Sequence, residues 1–166
     1  MRKGARLKRA MDLTLALAAM AILWPLFLLI TALIKIDSRG PVFFRQERTG
    51  EGMKPFRVFK FRTMIVGAYR SGARLTVKRD PRITQVGALL RWTKLDELPQ
   101  LLNVLAGDMS LVGPRPEDPY FTAFYSETEK EALSVKPGMI GPSQIAGRDE
   151  VEMYPEGVED TERYYI

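Results

Sequence analysis

These 166 residues predict a mostly helical α+β fold: a long apolar N-terminal helix, then a small globular domain of short helices with a minor β-hairpin. Three observations carry that expectation. The 22 residues from Leu13 to Ile34 contain no charge. Two short stretches, "VFFRQERTG" and "PFRVFKFRTM", alternate apolar and basic residues on either side of "GEG", as strands joined by a turn do. Leu98, Leu101, Leu102 and Leu105 follow the i, i+3, i+4, i+7 spacing of a core-facing helix. We divide the chain into a basic N-terminus with its long helix (1–38) and a globular domain over 39–166.

The apolar run is long enough to cross a hydrocarbon core of about 30 Å as a helix. A secretory signal fits less well, because the run is too long and no small-residue cleavage site follows it before Lys35. Arg2, Lys3, Arg6, Lys8 and Arg9 precede it, and Lys35, Arg39, Arg45 and Arg48 follow it. Basic flanks favour the cytoplasmic side, so both flanks ask for the same side. Pro25 lies near the middle, where it removes an N–H from the helix ladder and its ring crowds the preceding turn. Two topologies follow from these features: a kinked span, or a bent helix that enters one leaflet and returns.

"DSRGP", Asp37 to Pro41, reads as a turn that leaves this helix. Beyond the two strands, Val66 to Leu75 and Ile83 to Thr93 read as short amphipathic helices separated at Asp80-Pro81, and Gly107 ends the leucine-spaced helix.

Composition limits the chemistry. The chain has no cysteine and no histidine, which removes disulfides, thiolate nucleophiles and the commonest general base. Charge is strongly asymmetric: residues 1–95 hold 20 Lys/Arg against 5 Asp/Glu, and residues 96–166 hold 5 against 15. A basic half of this strength suggests a polyanionic partner, whether nucleic acid, an anionic membrane surface or a phosphorylated ligand.

Within "RWTKLDELPQLLNVLAG", Arg91 to Gly107, two adjacent carboxylates stand out, Asp96 and Glu97. Pro99 is tolerated in a first helical turn, which places the pair at or just before the start of the leucine helix. Acidic residues there commonly cap a helix and complement its dipole. They are also suited to face a phosphate-bearing ligand and a metal ion. Downstream, "GDMSLVGPRPEDP" sets Arg115 between two prolines, a stiffened turn suited to a guanidinium that grips phosphate. "KPGMIGPSQIAGRDEV" gathers Gly138, Gly141 and Gly147 with Pro137 and Pro142 into a loop flanking Arg148.

Several long segments in one order, from about Lys8 to Tyr164, resemble the bacterial sugar transferase family, the monotopic phosphoglycosyl transferases that load a sugar phosphate onto a polyprenol phosphate. They are "KRAMD", "GPVFFRQERTGEGMKPFRVFKFRTM", "LRWTKLDELPQLLNVLAGDMSLVGPRPE", "KPGMIGPSQIAGRD" and "DTERYY". The resemblance implies a re-entrant membrane helix broken at Pro25, with the catalytic domain on the cytoplasmic face of the bacterial inner membrane. Many members carry Ser-Pro at that break, whereas this chain has Trp24-Pro25, which leaves out the hydroxyl. Similar proteins usually continue with a further helical stretch past the position of Ile166.

By the same resemblance the chain transfers a sugar-1-phosphate from a UDP-sugar to undecaprenyl phosphate and releases UMP. Asp96 is implied as the nucleophile, forming a phosphosugar-aspartyl intermediate, and Glu97 as metal ligand or helper base. A carboxylate nucleophile needs no deprotonation at neutral pH, so the missing histidine is no obstacle. Its approach to a diphosphate is the difficulty, since two like unit charges about 4 Å apart repel by about 4 kcal/mol at an effective dielectric of 20. Mg²⁺ held with Asp96 and Glu97 would offset that repulsion. Arg115 is expected to clamp phosphate, with Lys60, Arg62 and Arg148 as further cations of the anionic site. Bacterial membrane lipids are the expected surroundings. Nucleic acid is not an expected partner, because no binding motif is present and the basic residues are spread over several elements. The remaining alternative is a membrane-anchored scaffold in which the acidic pair only caps a helix.

Overall fold

The computed structural model describes residues 3–68 and 80–141. Helix α1 covers Lys3–Asp37, taking in the apolar run and most of the basic flank before it. It is long and apolar enough to cross a membrane by length and composition. Pro25 lies inside the helix rather than between two helices. A proline removes a single N–H from the ladder while the residues around it keep theirs, so helix continues on both sides. The break expected at Pro25 is therefore not an interruption of the helix.

One side of α1 packs along the rest of the protein. Ala16 is fully buried with Val58, Leu101, Val104 and Met109, while Ile30 and Ile34 are buried with Phe61 and Leu90. The two clusters lie on opposite sides of Pro25 along the helix. Other positions, including Leu15, Ile22, Trp24, Leu28 and Leu29, are exposed. Hydrogen bonds tie down both ends. Arg9 donates to the carbonyls of Val104 and Leu105, at 2.6 and 3.0 Å. The Asp12 carboxylate accepts from the Ser110 hydroxyl and the Leu111 N–H. At the far end, Asp37 accepts from the Val86 N–H at 3.1 Å.

The expected hairpin is present. Strands β1 (Phe43–Thr49) and β2 (Pro55–Phe61) pair antiparallel, linked by a 3-10 turn over Glu51–Met53 in which Gly52 takes a φ of 66°. Directly opposed residues share a face of an antiparallel pair. Phe44 faces Lys60, Gln46 faces Val58, and Arg48 faces Phe56. Val58 is buried against α1 and the leucine helix, so Lys60, two residues on, projects from the same side.

Helix α2 covers Gln85–Thr93, two residues later than the spacing suggested. Thr84 is extended and caps the helix by accepting from the Gly87 N–H, while Ile83 is drawn off into a bridge with Met64. The helix expected over Val66 to Leu75 falls mainly outside the described residues, and Val66 and Gly67 form a turn. Lys94, left-handed at φ 57°, ends α2 and reverses the chain into a 3-10 turn over Leu95–Glu97. Pro99 then precedes α3 (Gln100–Ala106), which Gly107 closes at φ 95° by donating to the Asn103 and Val104 carbonyls.

The sequence reading missed a second sheet. Strands β3 (Ser110–Val112) and β4 (Gly138–Ile140) pair in parallel, so Gly138 belongs to a strand and not to the expected loop. Three-residue strands leave too short an alternation to recognise. Two short helices, α4 (Pro119–Thr122) and α5 (Glu127–Lys130), lie between them, each capped by the preceding Asp118 or Ser126.

Candidate active site

Asp96 and Glu97 sit in the 3-10 turn between α2 and α3, where the sequence placed them. The two neighbours have different surroundings. Glu97 accepts a hydrogen bond from Lys60 at 2.8 Å and lies 3.7 Å from the Arg115 guanidinium. Burial works against its ionisation, but Lys60 and Arg115 more than offset this and bring its pKa down to about 2. Asp96 is also buried, at 8% exposure. Burial is the largest influence on it and pushes its pKa up, with repulsion from Glu97 adding to the shift and Lys60 and Arg91 opposing it. Its carboxylate makes no hydrogen bond among the described residues. Its oxygens are not fully enclosed, since among the described residues only the Arg62 Nε is both fully enclosed and unpartnered. Adjacent carboxylates driven apart in acidity mark a site where their roles differ.

Two strand pairs bring the cations to Glu97. Lys60 is delivered by the hairpin, and Asn103 of α3 locks the register of that strand against the helix. The fully buried Asn103 amide accepts from the Phe59 N–H at 2.9 Å and donates to the Arg57 carbonyl at 2.7 Å. Arg115 is delivered by the parallel pair. Its loop begins where the Gly113 N–H donates to the Ile140 carbonyl and the Gly138 N–H donates to the Pro114 carbonyl. The two glycine backbones touch: a methyl at Gly113 would lie 2.6 Å from the Lys136 carbonyl oxygen, and one at Gly138 would run into the Gly113 nitrogen. The far end of the loop is held by Glu117, which pairs with Arg48 at 3.1 Å and whose carbonyl accepts from the Thr49 N–H.

A shallow, open cavity lies at this junction, lined by Arg48, Val58, Lys60, Glu97, Gln100, Arg115 and Pro116. Lys60, Glu97 and Arg115 are thus brought together as expected, with Asp96 beside them in the same turn. Arg62 is placed elsewhere. The strand ends at Phe61, and the Arg62 guanidinium turns back to donate to the Ser38 and Arg39 carbonyls at 2.8 and 2.5 Å, fastening the turn after α1. Arg148 lies outside the described residues. Sequence reasoning did not single out Arg48 or Gln100. Arg48 becomes visible once the hairpin register puts it on the Lys60 face, and Gln100 once helical spacing sets it one turn beyond Asp96 and Glu97.

Among the described residues, no three acidic side chains gather into a metal-binding cluster. Two carboxylates beside an anion-attracting cavity still suit a hard divalent cation, because Mg²⁺ is commonly held by one or two carboxylates together with substrate phosphates.

The site thus places a carboxylate pair beside two cations, Lys60 and Arg115, on a domain packed along a long apolar helix. The match is to the bacterial sugar transferase family over residues 3–166, and the chain belongs to that family. It is 50% identical over 116 residues to a protein of Bacillus subtilis (strain 168) named as a candidate undecaprenyl-phosphate N-acetylgalactosaminyl 1-phosphate transferase, covering 70% of this chain and 65% of that one. It is 47% identical over 148 residues to the exopolysaccharide production protein PSS of Rhizobium leguminosarum bv. phaseoli, covering 85% and 74%. It is 43% identical over 144 residues to the UDP-glucose:undecaprenyl-phosphate glucose-1-phosphate transferase of Escherichia coli (strain K12), covering 85% of this chain and 31% of that one. The chain therefore spans just under two thirds of the Bacillus relative and about a third of the Escherichia one.

Proposed function

We propose that this protein transfers a sugar-1-phosphate from a UDP-sugar to undecaprenyl phosphate as a monotopic enzyme of the bacterial inner membrane. The observation that carries the reading is the contrast inside the acidic pair: Glu97 is engaged by two cations, whereas Asp96 is buried, rendered more basic by that burial, and left with unbonded oxygens. An Asp96 oxygen attacks the phosphorus that bears the sugar. The bond from that phosphorus to the bridging oxygen breaks, and UMP leaves with the oxygen. An oxygen of undecaprenyl phosphate then attacks the same phosphorus and releases Asp96, leaving sugar-diphosphate-undecaprenol. Lys60 and Arg115 hold the phosphates and spread their charge. Asp96 and Glu97 would hold Mg²⁺, which supplies positive charge at the diphosphate when bound.

The membrane reading rests on α1. Arg9 and Asp12 near one end and Asp37 at the other bond to the same domain. A helix tied at both ends to one domain keeps both basic flanks on that domain's side, as the positive-inside rule asks. Its exposed apolar side, which includes Leu15, Ile22 and Leu29, then lies in one leaflet, and the site faces the headgroups where a lipid phosphate ends.

The test is UMP release by the membrane-reconstituted protein with undecaprenyl phosphate, Mg²⁺ and a set of UDP-sugars. Turnover is expected with at least one donor, and Asp96→Asn is expected to lose on the order of 10³-fold or more. Retained UMP release in that variant would remove Asp96 from the nucleophile's role. For topology, cysteines introduced at Lys3 and Glu51 are expected to be labelled from the same side, and labelling from opposite sides would establish a span.

A further inference from the structure

We infer that Gln100 is a substrate-binding residue that reads the sugar of the donor, an inference that rests on the transfer reaction proposed above. Gln100 opens α3 and is buried to 3% exposure, yet its carboxamide has no hydrogen bond to any described residue. Among the described residues only the Arg62 Nε is both fully enclosed and unpartnered, so the Gln100 amide stays open to water or a ligand from the cavity it lines. The residue lines the cavity that also holds Lys60, Glu97, Arg115 and Arg48. The comparison within α3 is direct, since Asn103, one turn later and equally buried, has both ends of its amide satisfied by β2.

The chemistry of the amide points to a neutral group. In the proposed reaction Lys60 and Arg115 already serve the phosphates, and the amide oxygen would repel a phosphate oxygen. A carboxamide offers one acceptor and two N–H donors, the complement of a hydroxyl or an acetamido group. Position then selects the sugar over the uracil. Gln100 lies three and four residues after Glu97 and Asp96, about one helical turn away, which is the reach of a group attached directly to the phosphorus that Asp96 attacks. The uracil is separated from that phosphorus by a second phosphate and a ribose.

The experiment uses the full chain in detergent. Binding of UDP, UDP-glucose, UDP-galactose and their two N-acetylated counterparts is measured by calorimetry for the wild type, Gln100→Met and Gln100→Glu, with each variant's thermal midpoint as a check on folding. Methionine keeps the length and removes the polar atoms; glutamate keeps the shape and removes the donors. Both variants are expected to weaken the best UDP-sugar by roughly ten- to a hundredfold and to reduce the spread of affinities among the sugars. Gln100→Met is expected to leave UDP unchanged, while Gln100→Glu, whose added charge repels the diphosphate, weakens UDP as well but by less than the best UDP-sugar. An equal loss for UDP and every UDP-sugar would place the amide at the nucleotide and overturn the inference, as would unaltered affinities. Binding is scored apart from turnover, so a wild type that binds UDP-sugars without releasing UMP counts against the transfer reaction and still decides the place of Gln100.

Discussion

The two small sheets do the same job by different means. The hairpin of β1 and β2 carries Lys60 to Glu97, and the parallel pair of β3 and β4 carries Arg115 there. The first is a local antiparallel pair, with 7-residue strands in continuous register. The second joins segments separated by helices α4 and α5 through a few bonds around two glycines in contact. A local hairpin spreads its stability over many pairs, so a single change is absorbed. The parallel pair depends on one close approach, so a single methyl there is expected to move Arg115.

The largest expected difference is in activity. Lys60 donates a hydrogen bond to Glu97, whereas Arg115 is an ion-pair partner at a longer distance. Lys60→Met should lower kcat/KM by roughly 10²- to 10³-fold, the scale of losing one preorganised donor, and Arg115→Met by less; steady-state UMP release would rank the two. Gly138→Ala comes next. It should imitate Arg115→Met in activity and cost about 1–3 kcal/mol or more of stability through overpacking, whereas Arg115→Met itself should leave the denaturation midpoint nearly unchanged. Equal activity in Gly138→Ala and wild type would show that the parallel pair does not place Arg115. On the hairpin side, Asn103→Leu leaves the Phe59 N–H and Arg57 carbonyl unpaired and should cost about 1–3 kcal/mol while reducing activity in the manner of Lys60→Met.

The smallest effects are in pH dependence. Glu97 has its pKa depressed from 4.5 to about 2. Its contribution to stability is therefore full above the unfolded value and is lost as pH falls through the folded one. Acid titration of the melting temperature should show this loss between pH 4.5 and about 2, and Lys60→Met should reduce it. Asp96 is shifted the other way by burial. The acid limb of kcat/KM should lie above the ordinary aspartate range, and Lys60→Met, by removing a cation that favours the charged form, should move it higher.

The comparison of the two sheets also explains what was legible in the sequence. Long periodic segments were readable: the apolar run became α1, the alternating stretches became the hairpin, and the leucine spacing with Pro99 and Gly107 framed α3. Asp96, Glu97 and Arg115 stood out by residue type and position, though the acidic pair read equally as a helix cap, and Lys60 entered only through the family resemblance; the structure places Lys60 and Arg115 against Glu97. What escaped depended on contacts between distant segments. Nothing local marks Ser110–Val112 and Gly138–Ile140 as partners. Arg62 looked equivalent to Lys60 because alternation was carried one residue past the strand's end at Phe61. Gln100 was hidden because a glutamine in a first helical turn is unremarkable until its burial and missing partner are known.

Helix α1 contributes Ala16 to one core cluster and Ile30 and Ile34 to the other, so the anchor and the domain it carries cannot unfold independently. Cutting α1 away would not release a soluble enzyme; it would bare Val104, Met109 and Leu90. Under the proposed topology the bilayer acts as a ligand of the native state, stabilising it in proportion to how much more tightly it binds the folded protein than the unfolded chain. Lipid thickness and headgroup charge then become thermodynamic variables of folding as well as of substrate supply.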